Sequence, residues 1–124
     1  IDAANALRCE LGAIIKSLVF KTGNQFTVCL VSGDKRCSLN KLKIILNEKD
    51  VSMANANQVK QNTGFSIGGV APIGYPKDLK ILIDKSLSRF KYVYGAAGHP
   101  DCIFKITYTD LVNLTKGSEE AITE

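Results

Sequence analysis

The sequence predicts one α+β domain built around a mixed β-sheet. Three observations lead there. Strand-like runs dominate the chain and are punctuated by Gly/Asn turns. Capped helix signals fall between the strands and again near the C-terminus. The length of 124 residues, with 45% hydrophobic and 23% charged, suits one globular domain with its own core.

Ala3, Ala4, Leu7 and Leu11 recur at helical spacing, and Gly12 is placed to end that helix. The helix opens abruptly at Ile1, so the expectation is that further residues precede it. Residues 13–22 and Gln25–Ser32 read as strands joined by Gly23-Asn24, a hairpin turn. In the first strand, alternation puts Ile15, Ser17, Val19 and Lys21 on one face. Ile14, Lys16, Leu18 and Phe20 fall on the other.

Residues 32–35 form a turn, and Ser38 caps a helix over Leu39–Leu46 with Leu39, Leu42, Ile45 and Leu46 as its apolar stripe. Residues 51–54 suit a short strand. Asn55 and Gln58 have capping-box spacing for a helix ending near Gly64. Strands are then predicted at 81–84, 92–97 and Cys102–Thr107, with a short helix or turn over Lys85–Arg89. Thr107 caps a helix over Tyr108–Thr115, with Gly117 as its stop. Residues 118–124 read as a polar, acidic tail without a core-forming pattern.

The net charge is +4, and the excess lies in residues 16–60, which hold eight cations and three anions. A basic half of this kind suits a polyanion such as RNA, or is simply a solvated lysine-rich surface. No apolar run approaches the ~20 residues a membrane-spanning helix needs. No secretory leader pattern opens the chain. Cys9, Cys29, Cys37 and Cys102 lack C-x-x-C spacing, and His99 is the only histidine, so an ordinary Cys/His zinc site is not expected. Free thiols fit a reducing cytosol.

Residues 64–76 are the most unusual segment, with four glycines and two prolines among 13 residues. Such a loop admits positive φ and bare N–H groups that can approach a ligand. It is neither a Walker loop nor a dinucleotide fingerprint. Phe65, Ile67, Val70 and Ile73 interleave with the glycines, which predicts a packed loop. Lys21, at the end of a strand, is either an edge solubiliser or a cation at a pocket rim.

Four segments in order resemble the YbaK/ProX family of aminoacyl-tRNA deacylases, related to the editing insertion of bacterial prolyl-tRNA synthetase. They are Lys16-Ser-Leu-Val-Phe-Lys21-Thr22, the run from Thr63 through Gly68-Gly69-Val70-Ala71-Pro72 to Gly74, Leu82-Ile-Asp84 and Tyr94-Gly-Ala-Ala-Gly98. The closing Thr107-x-x-Asp110-Leu111 is similar to the family's last helix. The resemblance covers residues 3–117 and implies one editing-type domain over 1–117, followed by the tail at 118–124. It implies a strongly bent, almost barrel-like mixed sheet with surrounding helices.

The implied activity is hydrolysis of the ester joining a wrong, small amino acid (Ala, Cys, Ser or Thr) to the 3′-terminal adenosine of tRNA. The implied setting is cytoplasmic translation fidelity, with an aminoacyl-tRNA as partner, a synthetase as a further candidate, and neither membrane nor DNA. No cofactor or metal is expected. By the family's motif Lys21 is the key lysine, and Gly68 and Gly69 belong to the loop whose amides bind the oxyanion. Thr22, Ile67, Val70, Ala71, Pro72, Ala97, Gly98 and His99 are the implied substrate contacts. A non-catalytic tRNA 3′-end-binding module and an excised synthetase insertion are the alternatives.

Overall fold

The computed structural model describes residues 9–99 and 101–124, and the expected first helix lies largely outside them. Seven strands and three α-helices follow: β1 (Ile15–Thr22), β2 (Gln25–Ser32), α1 (Leu39–Leu46), β3 (Val51–Met53), α2 (Ala56–Thr63), β4 (Lys80–Asp84), β5 (Tyr92–His99), β6 (Cys102–Thr107), α3 (Tyr108–Thr115) and β7 (Ser118–Glu120). Short 3-10 turns occupy Leu11–Ala13 and Lys85–Arg89.

The predicted caps form as written. Ser38 accepts from the Lys41 N–H, and Asn55 and Gln58 make a full capping box. Gly64 ends α2 in the left-handed region at φ 81°. In the β1–β2 hairpin Gly23 takes positive φ (63°) at the first turn position, which glycine allows without steric cost.

Five strands form one sheet in the order β3-β1-β2-β4-β7, with the β2–β4 and β4–β7 pairs parallel and the rest antiparallel. Period-2 alternation then feeds two cores. Ile15, Val19, Val28, Leu30 and Ile83 pack on one face with Val59 of α2, Val93 of β5 and Leu111 of α3. Phe20, Cys29, Val31 and Leu82 pack on the other with Leu42 of α1. Burial on both faces explains the unbroken apolar run of β2. Each fully buried side chain of this size contributes roughly 1.5–3 kcal/mol.

Two expectations are corrected. The sheet does not close into a barrel: β3 and β7 are its opposite edges, three residues each, and do not pair with each other. β5 and β6 form a separate hairpin sheet, joined to the main one by a single isolated bridge between Tyr94 and Ile14, the residue before β1. The polar tail is also part of the fold. Ser118–Glu120 pairs with β4, and Ile122 is fully buried with its N–H donated to Asp84 Oδ1 at 2.9 Å. A single apolar side chain in a polar stretch carries no periodicity, so sequence patterning misses it. At the end of α3 the left-handed position belongs to Lys116 (φ 55°), not Gly117. Gly117 is there for room, since a Cβ would lie 2.9 Å from Ile83.

Candidate active site

β1 carries two Lys-(Ser/Thr) pairs, Lys16-Ser17 and Lys21-Thr22. Five residues apart, the two lysines leave the strand on opposite faces. They also lie roughly 16 Å apart along it, at ~3.3 Å per residue.

Lys16 is the one that meets the glycine loop. A cleft of about 260 Å³ is lined by Ile15, Lys16, Ser17, Leu18, the loop residues Ile67, Gly68 and Val70, and Ala96 of β5. Lys16 is half-buried, and its Nζ donates to the Lys35 carbonyl, which leaves its remaining N–H groups for a ligand. Lys16 and Leu18 also line a neighbouring cleft of about 710 Å³, whose rim carries Lys35 and Arg36. The carboxylate of that rim, Asp34, is held in an ion pair with Arg89 at 2.8 Å, which draws its pKa below the usual carboxylate range. The neighbouring surface therefore carries the charges of Lys35 and Arg36.

The loop is locally built for this position. Thr63 Oγ1 accepts from the Phe65 N–H at 3.1 Å, turning the chain out of α2. Tyr75 Oη donates to the Ala71 carbonyl at 2.7 Å and pins the far side. Gly68 has φ 88° and open space where a Cβ would stand. The Gly69 N–H is donated to the Ser66 carbonyl at 2.9 Å. Among the described residues the amides of Gly68 and Val70 have no main-chain acceptor.

The expected site residues thus divide. Ile67, Gly68 and Val70 share the Lys16 cleft. Lys21 does not: it is exposed and lines a different cleft with Gly23, Asn24, Glu48, Asp50 and Ser52. Thr22 is buried, with its hydroxyl 3.1 Å from that of Thr27. Gly69 is committed to its turn. Ala71, Pro72 and Ala97 line a third, apolar cleft with Ile73, Phe104 and Leu114, on the other side of the loop. Gly98 takes φ 97° and lets the Phe65 ring approach to 3.2 Å of a would-be Cβ, so it supports the loop by packing. His99 is exposed, and its Nδ1 accepts from the Asp101 N–H at 3.1 Å. Pro100, between them, lies outside the described residues.

Ile15, Lys16, Ser17 and Leu18 are the cleft residues that reading the motifs missed. The face alternation of β1 separates Lys16 from Lys21, but it does not say which of them shares a cleft with the loop: the loop packs on the Ile15–Val19 face, and the cleft takes residues from both faces of the strand. The cysteines beside Lys16 differ in character. The neighbouring Cys37 thiol and burial push the Cys29 thiol up, whereas Cys29, with help from the Lys16 charge, draws Cys37 down. No cluster of metal-ligating side chains occurs among the described residues. No helix of the described residues is long and apolar enough to cross a membrane.

The fold and this cleft define a domain of the aminoacyl-tRNA editing type. Residues 1–114 match the aminoacyl-tRNA editing domain family. The uncharacterized protein YwhH of Bacillus subtilis (strain 168) is 33% identical over 111 residues, covering 89% of this chain and 70% of that one. The proline–tRNA ligase of Thermosipho africanus (strain TCF52B) is 34% identical over 95 residues, 76% of this chain but 17% of the ligase. A crystal structure of a proposed trans-editing enzyme for prolyl tRNA synthetase superposes with TM-score 0.95 and 34% identity, covering 99% of this chain and 78% of that one. The chain belongs to the aminoacyl-tRNA editing domain family.

Proposed function

We propose that the chain hydrolyses, in trans, the ester of a tRNA mischarged with a small amino acid. The observation that carries this reading is the convergence of Lys16 and the Gly68–Val70 loop on one cleft of about 260 Å³.

An aminoacyl ester is already activated, so positioning and charge stabilisation are enough. Water, or a water assisted by the vicinal 2′-hydroxyl of the ribose, attacks the ester carbonyl. The Gly68 and Val70 amides and the Lys16 ammonium stabilise the oxyanion. Collapse breaks the bond to the 3′-oxygen, which takes up a proton, and releases the amino acid. Lys16 acts as a cation throughout.

Ala96, Val70 and Ile67 leave room for Ala, Cys, Ser or Thr and exclude larger side chains by clash. Lys35 and Arg36 on the adjoining rim suit the phosphates of an RNA end. A tRNA substrate sets the work in the cytoplasm. The similarity to segments of proline–tRNA ligases favours one second reading, an editing insertion acting in cis within a synthetase.

A panel of mischarged tRNAs, each followed by loss of labelled amino acid, tests the proposal. Release of at least one small amino acid well above the buffer rate is expected. Buffer-level release from every member overturns the hydrolase and leaves a module that only binds the tRNA end.

A further inference from the structure

The edge of β1 that borders the Lys16 cleft is open. The Val19 carbonyl accepts from the Ala54 N–H at 2.9 Å, on the side of β1 away from β2. Backbone groups alternate along a strand, so Ile15 and Ser17 present theirs to the same side. β3 begins to pair with β1 only at Phe20. β5 is bridged only to Ile14, the residue before β1, through Tyr94, and forms no ladder with β1; its pairing with β6 becomes irregular after Ala96. Between Tyr94 and Ala54, therefore, the carbonyls of Ile15 and Ser17 have no ladder partner among the described residues.

Main-chain groups outside any ladder, at one buried and one half-buried residue, call for a partner. Another strand does not fit, because Ile67, Gly68, Val70 and Ala96 wall off the space. A small group with several N–H donors does. Lys16 does not compete for these acceptors, since its ammonium is drawn to the Lys35 carbonyl.

We propose that the open β1 edge at Ile15–Ser17 is the subsite for the α-amino group of the aminoacyl ester. The two carbonyls accept its N–H donors and so set the ester carbonyl between Lys16 and the loop amides. This rests on the hydrolase reading above and adds to it a demand for a free α-amine. It makes the enzyme select for an amino acid as such, independently of side-chain size.

The test compares two tRNA esters with the same side chain, the best small aminoacyl ester of the panel and the ester of the corresponding α-hydroxy acid. Each enzymatic kcat/KM is divided by the spontaneous hydrolysis rate of that ester, because an α-amine alters intrinsic reactivity. At least a tenfold preference for the aminoacyl ester is expected. Lys16→Ala should slow both esters in the same proportion and keep the preference, which a general loss of structure has no reason to do. Equal normalised rates for the two esters overturn the subsite while leaving the hydrolase intact. Release of neither ester above the spontaneous rate overturns the hydrolase, and the subsite with it.

Discussion

Lys16 and Gly68 line the same cleft, although one stands on the second face of β1 and the other in the loop after α2. Lys21, further along that strand, opens instead on a cleft with Glu48 and Asp50. A cation beside two carboxylates is poorly placed to stabilise a developing oxyanion. We therefore expect Lys16→Ala to lower deacylation by at least ~100-fold, the scale of losing one oxyanion donor. Lys21→Ala should remain within a few-fold of the wild type, with both variants melting near the wild-type temperature. The reverse order in a single-turnover assay would return the role to Lys21.

Ala96 is a wall of the Lys16 cleft, whereas Ala71 lies in the apolar cleft beyond the loop. Ala96→Leu should narrow the accepted substrates toward the smallest, because added methylenes occupy acyl space. Discrimination between Ala and Thr esters should change by about tenfold or more. Ala71→Leu should instead cost stability by overpacking, about 1–3 kcal/mol, with the substrate ranking unchanged. An unchanged ranking for Ala96→Leu would move the acyl group elsewhere.

Asp84 ties the C-terminal segment to the sheet. It is 1% exposed and accepts from the Ile122 N–H, the Thr123 hydroxyl, and the Ser86 N–H and hydroxyl. Asp84→Ala orphans the buried Ile122 N–H, and we expect a loss of about 2–3 kcal/mol. Hydrogen exchange should show the Ile122 amide losing protection before the β1–β2 hairpin does. Simultaneous loss everywhere would mean that Asp84 holds the whole sheet rather than its edge.

The Asp34–Arg89 pair sets a small acid dependence. Arg89 holds the Asp34 carboxyl below its usual range in the folded chain. The sign follows: the contribution is fully present above the unfolded carboxylate value of about 4 and is lost as pH falls through the lowered folded value. Both groups are more than a third exposed, so the contribution is modest and screened by salt. Asp34→Asn should destabilise slightly at neutral pH and low salt, and match the wild type in strong acid. A difference that persists or grows in acid, measured by urea unfolding, would show another origin.

Most of the local structure was legible in the residues. Ser38, the Asn55–Gln58 box, Gly64 and Thr107 mark helix ends to within a residue or two, because a cap is a hydrogen bond between near neighbours. The alternation in β1 and β2 and the Gly23-Asn24 turn fix the hairpin for the same short-range reason. The family, too, was readable from four ordered motifs, and the match over residues 1–114 agrees.

Contacts between distant segments were not legible. Nothing near Lys16 or Lys21 in the chain says which face of β1 the 64–76 loop will cover. The loop packs Val70 and Phe65 into the core of Ile15, Val19 and Val59, the face opposite Lys16, and the Lys16 cleft takes its lining from both faces of β1. Ile122 reads as a stray apolar residue until Asp84 supplies an acceptor for its N–H. Short-range hydrogen bonding and strand periodicity are written in the sequence. Which lysine shares a cleft with the loop, where the strand edge stays open and where the C-terminal strand sits are decided only when remote side chains pack together.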